Sequence, residues 1–219
     1  MIKGKIEKLI SNYKKITTEF LDQIARWEAD QLYSSDHRTQ KIREVKSEMQ
    51  ANDAEFNDQL QVILTEEQTA ITKRSINKPA DYQEQINAAI GFIGLLGDKI
   101  SDEKAFELVK PFFGDYVVMK NFYSVLITRW GKDGLPITLS SLGRLDQAIN
   151  SLDNLKIAHK SIFDNGTNAQ NSLSYAILSK MLLDEAESVD NILRKADELS
   201  SASFEDIQME LHKELMGMI

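Results

Sequence analysis

Cysteine is absent from these 219 residues, which removes disulfides, thiolate catalysis and Cys-based zinc sites together and fits a reducing compartment. Proline occurs three times and glycine ten, and neither occurs between Gly4 and Pro79. No apolar run approaches the roughly 20 residues that a bilayer span requires. Lys3, Lys5 and Lys8 open the chain without a following apolar core or small-residue cleavage site, so a secretory signal is not expected. The expected location is the cytoplasm, or the host cytoplasm if the chain is viral.

The motifs of several enzyme classes are missing as well. There is no Gly-x-x-x-x-Gly-Lys-Ser/Thr loop for phosphates, no EF-hand loop and no Gly-x-Ser-x-Gly elbow. Gly91, Gly94 and Gly97 recur every third residue in a helical context; they lack the order of a dinucleotide loop and read instead as a face for close approach by another helix. Di-iron bundles need Glu-x-x-His, but the residues three before His37, His159 and His212 are Ser34, Lys156 and Met209. His159, between Leu155 and Ile162, reads as a packing histidine. Asn165-Gly166-Thr167 is a glycosylation sequon that a cytoplasmic chain would not use. No catalytic residue, metal ligand or cofactor site is expected.

What is present is helix-forming. Hydrophobic residues make up 42% and charged residues 27% of the chain, which is globular and too apolar for disorder. The net charge of −8 is uneven: residues 1–78 are neutral, 79–166 carry −2 and 167–219 carry −6. An acidic C-terminal third repels nucleic-acid backbones and anionic membranes. Lys73-Arg74 with Lys78 is only a small basic cluster, so nucleic acid is not favoured as a partner. The lysines from Lys3 to Lys15 read either as a solvated helix face or as an electrostatic contact for an acidic partner.

Ile6, Leu9, Tyr13, Ile16, Phe20, Ile24 and Trp27 recur in steps of three and four, close to a heptad seam with one stutter. Ser34 to Lys41 is polar, and the pattern resumes at Ile42, Val45, Met49, Phe56, Leu60 and Ile63, skipping Asn52 as a polar seam position. Two structures fit. Either one helix runs from about residue 2 to 76, roughly 110 Å long at 1.5 Å per residue, or the chain turns at Ser34-Ser35-Asp36. In the turned form Ser35 or Asp36 caps a second, antiparallel helix. Thr65-Glu66-Glu67-Gln68 has the form of a capping box and predicts a further restart. Asn77-Lys78-Pro79 marks the clearest boundary, giving a coiled-coil-like segment over 1–78 and a compact helical domain over 79–219.

In the second part Asp81 and Ser101 are predicted helix caps, and Asp102 and Glu103 favour the dipole of the helix that Ser101 starts. Six of the seventeen aromatics fall between Phe112 and Trp130, which marks the centre of a core. Asp115, Lys120 and Arg129 lie in that stretch and either line a small internal site or pair and reach solvent. Gly131, Gly134 and Pro136 predict a loop, Leu135-x-Ile137-x-Leu139 a short extended edge, and Ser140 or Ser141 the cap of the next helix. Asp164-Asn165-Gly166 closes that helix, and a long one follows from about Thr167 to Leu199. The final helix, Ser203 to Met216, carries an apolar stripe of Phe204, Ile207, Leu211, Leu215 and Met218, with Met209 and Met216 nearby. It suits either a partner's groove or the chain's own core.

These patterns predict an all-α protein: a long N-terminal helix or antiparallel helical hairpin, followed by a compact multi-helix domain. The expected function is non-enzymatic, a scaffolding or adaptor protein acting through protein contacts as a homo-oligomer. The contact residues are those of the two stripes, Ile6, Leu9, Tyr13, Ile16, Phe20 and Trp27 with Phe204, Ile207, Leu211, Leu215 and Met218. A monomeric helical regulator or inhibitor that binds one protein partner is the alternative. In general character the chain resembles phage and cellular assembly factors, often small, acidic, cysteine-free helical chains; no diagnostic motif assigns a family.

Overall fold

A computed structural model describes residues 1–164 and 172–216, with side chains for 1–157, 176–214 and 216. The protein is all-α: eight α-helices and no strand occur among the described residues. None of these helices is long and apolar enough to cross a membrane. They are α1 (Ile2–Ala29), α2 (Ser35–Thr72), α3 (Tyr82–Leu96), α4 (Asp102–Val109), α5 (Tyr116–Gly134), α6 (Pro136–Asp164), α7 (Ser172–Glu198) and α8 (Phe204–Leu215). The chain forms two compact units, each discontinuous in sequence: residues 1–67 with 151–190, and residues 68–150 with 191–219.

In the first unit the long N-terminal segment is a hairpin. Tyr13 of α1 packs its ring 4.5 Å from that of Phe56 on α2 and donates its hydroxyl to Asp53 at 2.5 Å. Lys5 pairs with Glu67 at 3.3 Å. As residue numbers rise along α1 they fall along α2, so the two are antiparallel. The turn needs neither glycine nor proline, because Asp30 accepts from the Leu32 amide at 2.8 Å, an Asx turn. Tyr33 stacks on His37 at 5.0 Å with Trp27 edge-on at 5.8 Å, closing the turn. The cap of α2 is Ser34, one residue before the expected Ser35 or Asp36: its hydroxyl accepts from the His37 amide at 3.3 Å.

The apolar stripe of α1 is covered within this unit. Ile2, Ile6, Leu9, Ile10, Tyr13 and Ile24 are buried, as are Val45, Met49, Phe56, Leu60 and Leu64 of α2. Asn52, between Met49 and Phe56, is half-buried with its amide nitrogen sealed from solvent. Asp190 of α7 receives the amides of Ile2 and Lys3 at 2.8 and 3.0 Å. Those are orphan donors at a helix start, and a carboxylate from another helix satisfies both. Lys3 also pairs with Glu187 at 3.0 Å, so two of the N-terminal lysines are held by ion pairs inside the chain. Burial raises the Asp53 carboxyl above its ordinary value, with the Tyr13 hydroxyl pulling the other way.

Several expected breaks are absent. α2 continues through Thr65 to Thr72 without a restart, because Leu64 and Ile71 keep its apolar face in register with buried positions. The extended edge at Leu135–Leu139 is instead the start of α6. Asp102 explains it: its carboxylate accepts from the amides of Ile137 and Thr138 at 2.7 and 2.9 Å and from the Thr138 hydroxyl at 2.6 Å. That cap lets α6 begin at Pro136, before Ser140 or Ser141, with proline at a position that needs no amide. The predicted loop shrinks to a kink at Gly131, whose φ of 68° suits glycine. At Gly134 the chain turns so tightly that a Cβ would lie 2.7 Å from that of Trp130. Ser101 caps α4 through the Lys104 amide. Asp81 precedes α3 without a side-chain cap bond, its carboxylate receiving Gln85 instead. The Asn165-Gly166-Thr167 segment and the side chains of His159 and Ile162 lie outside the described residues.

Two substitutions measure the cover over α1. Leu60→Ala opens a cavity at a fully buried position and is expected to cost about 3 kcal/mol in chemical denaturation. Asp190→Ala exposes two helix-start donors and is expected to cost about 1 kcal/mol by the same measurement.

Candidate contact surface

The two stripes expected to face partners are placed differently from one another. Ile6, Leu9 and Tyr13 are buried inside the first unit, and Ile16, Phe20 and Trp27 are half-buried. In the second unit, α8 docks onto its own neighbours. Its capping box at Ser203 and Asp206 fixes where it begins. Phe204 meets Phe106 with ring centroids 5.7 Å apart, Ile207 is buried and Leu211 half-buried. The side chain of Leu215 and all of Met218 lie outside the described residues.

Charge holds α8 in place. The Arg144 side chain on α6 is only 5% exposed, and its two terminal nitrogens donate to the two oxygens of Glu210 at 3.3 and 3.2 Å. Lys195 of α7 reaches Glu210 at 2.8 Å and Glu214 at 2.6 Å. Burial pushes the Glu210 carboxyl up, but the bond from Lys195 and the charge of Arg144 outweigh it and hold the group below its ordinary value. Burial pulls the Lys195 ammonium down, and its two carboxylate partners outweigh that and raise it.

Asp115, Lys120 and Arg129 do not converge on one internal site. Asp115 is 2% exposed and caps α5 by accepting from the Val118 amide; it also receives the Tyr82 hydroxyl at 3.3 Å and Lys78 at 2.8 Å. Burial, with Asp115 reinforcing it, pushes the Tyr82 phenol far up, so it stays a hydrogen-bond donor. Lys120 bonds the Tyr116 hydroxyl at 3.1 Å and faces Asp146 at 3.6 Å on the exposed side. Arg129 lies over the Trp130 ring at 4.8 Å.

α3 and α5 run side by side in the same direction. Tyr82 meets Asp115 where both begin, and Gly97 lies against Arg129 where α3 ends, 3.1 Å from a glycine Cβ position. Between them is a groove of about 830 Å³ with Tyr82, Val118 and Phe122 at its base and Ile86, Ile90 and Val117 along its sides. Lys73, Arg74 and Lys78 rim one end. Two of these cations already have partners, Arg74 in Asp197 at 2.6 Å and Lys78 in Asp115. The groove's walls mix these apolar side chains with Gln83, Asn87 and Asn121, and much of its rim charge is met internally.

Outside the groove α3 is uncovered. Ala89 and Ile93 face inward, while on the side away from the groove Phe92 is 57% and Leu95 85% exposed. Val117 and Val125 of α5 are exposed as well. Among the described residues nothing lies within 4 Å of a Cβ built on Gly91 or Gly94, so the expected close approach of another helix is not seen there. Helix glycines relieve crowding only where something crowds them, and here they face open space. The overlooked signal was charge: Gln85 to Gly97 holds no charged residue and is apolar at nearly every helical angle. Among the described residues no group of three or more His, Asp or Glu is arranged to hold a metal ion.

The Glu210 clamp has a pH signature. Glu210, held below its ordinary value near 4.5, contributes stability that is present above that value and lost as pH falls through the folded one. Lys195, raised above 10.5, contributes stability that is present below that value and lost as pH rises through the folded one. Glu210→Ala strands a buried guanidinium and is expected to cost about 2–3 kcal/mol at neutral pH, while flattening both limbs in denaturation measured against pH. No family model, no curated protein and no solved structure matches this chain.

Proposed function

We propose that this chain is a non-catalytic assembly or adaptor protein that works through helix-mediated protein–protein contact, with the outer face of α3 as its contact surface. One observation carries this reading: a helix with no charge from Gln85 to Gly97 leaves Phe92 and Leu95 in solvent on its outer face. Water penalises exposed apolar area by roughly 25 cal/mol for each Å², and large apolar side chains left in solvent on a charge-free helix favour a partner surface. Ile6, Leu9 and Tyr13 of the α1 stripe are buried in the chain's own first unit, which favours a contact on a helix of the second unit over a coiled-coil seam. α8 is likewise engaged internally through Ile207 and Glu210.

The covered α1 stripe equally favours the second reading, a monomeric regulator that binds one protein partner. Both readings place the contact on α3.

A photo-crosslinking amino acid at Leu95 tests the surface. It is expected to give discrete protein adducts in an extract of the native source, while the same probe at the exposed Val62 of α2 gives none. Equal adduct patterns at both positions would remove α3 as the contact surface.

A further inference from the structure

We infer that the groove between α3 and α5 is a binding site for a small amphipathic monoanion, a single carboxylate on an apolar body, with Lys73 meeting its charge. The groove lies on the side of α3 away from Phe92 and Leu95, so the site neither includes nor depends on the outer contact face.

Charge selects the head group. The lining of the groove holds three cations, Lys73, Arg74 and Lys78, against one carboxylate, Asp115, a positive excess on a chain of −8. Lys78 is matched by Asp115 and Arg74 by Asp197. That leaves the exposed Lys73 ammonium, which has no ion pair among the described residues, as one unmatched cation for one negative charge. These cations sit at the end where α3 and α5 begin. Lys78 lies over the Tyr82 ring at 5.3 Å, and the Arg74 carbonyl accepts from the Tyr116 amide at 3.2 Å. The dipoles of both helices add positive potential at the same end, which orients an amphiphile with its anion there.

Size and wall polarity select the body. Ile86 and Ile90 of α3 line the groove with Val117, Val118 and Phe122 of α5, and Tyr82 to Ile90 is about 12 Å of helix at 1.5 Å per residue. The volume of about 830 Å³ falls among pockets that hold one small molecule, roughly 300–1,000 Å³. An extended peptide would bring an N–H and a carbonyl at every residue, each requiring a partner. Along these walls the side-chain amides are those of Gln83, Asn87 and Asn121, and Gln83 already donates to Asn87 at 3.3 Å. A hydrocarbon body requires no such partners, and its carbons are covered by the apolar base.

Decanoate and its neutral counterpart decanamide are the probes, each titrated into the full chain against the fluorescence of bound anilinonaphthalene sulfonate, itself an amphipathic monoanion. Decanoate is expected to displace the dye with a dissociation constant below about 1 mM. Decanamide is expected to bind about fivefold more weakly, the factor that one partly exposed ion pair supplies. Lys73→Met keeps the reach of the side chain without its charge, and is expected to bring decanoate down to the level of decanamide while leaving decanamide unchanged. Val117→Glu, at an exposed position in the wall, sets a carboxylate in the groove and is expected to weaken both probes at least about tenfold. Circular dichroism confirms the fold of each variant. Equal binding of decanoate and decanamide to the unaltered chain overturns the monoanion site. Binding that survives Val117→Glu but is lost in Leu95→Glu overturns its location, by placing the probes on the outer face of α3. No dye fluorescence, or none displaced by decanoate at about 1 mM, overturns the ligand class. The Leu95 crosslinking result is independent of all three outcomes.

Discussion

A 28-residue helix with one apolar stripe has to lay that stripe against something, and α1 lays it against α2 and α7 of its own unit. Tyr13 on Phe56, Lys5 on Glu67 and the Asp190 carboxylate over the first amides of α1 are three views of that one packing. The hydrophobic gain is non-directional, so the polar contacts do the specifying. Asp190 fixes where α1 begins against α7, and the Tyr13–Asp53 bond fixes its register against α2.

The same device recurs in the second unit. Asp102, in the first turn of α4, supplies the helix-start bonds of α6 and closes over Thr138. A buried helix end without partners is costly, and both units meet that cost with a carboxylate from a distant point in the chain. Glu210 performs the comparable task for α8, where a buried guanidinium would otherwise stand uncompensated. Acidic residues that read in the sequence as surface charge are thus partly structural, and the −6 carried by residues 167–219 is spent in part on holding helices together. The outer face of α3 receives no comparable cover, and Phe92 and Leu95 stand in solvent there.

Much of the helical pattern was legible. The seam from Ile6 to Ile24, the Ser101 cap and the helix break around Pro79 depend on residues close in sequence, where spacing and capping chemistry operate. The misplaced elements depend on distant partners. Leu135, Ile137 and Leu139 alternate like a strand, and only the Asp102 carboxylate makes them a helix start. Thr65 has the local form of a cap, but Leu64 and Ile71 are needed on one continuous buried face. The candidate surface was visible as a charge-free run at Gln85–Gly97; glycine spacing drew the reading toward a packed face, and no local feature reports which side of a helix its own chain will cover.

The sequence by itself determined that this protein is all-α, that it has no cysteine chemistry, and that its N-terminal segment needs an apolar partner surface, because composition and 3.6-residue periodicity are local properties of the chain. Tertiary structure decided that the partner surface is the chain's own, that Asp115, Lys120 and Arg129 serve separate local contacts, and that α3 is left uncovered. Those outcomes turn on which helices meet, and residues such as Asp190 and Ile2, or Glu210 and Arg144, become neighbours only when the chain folds.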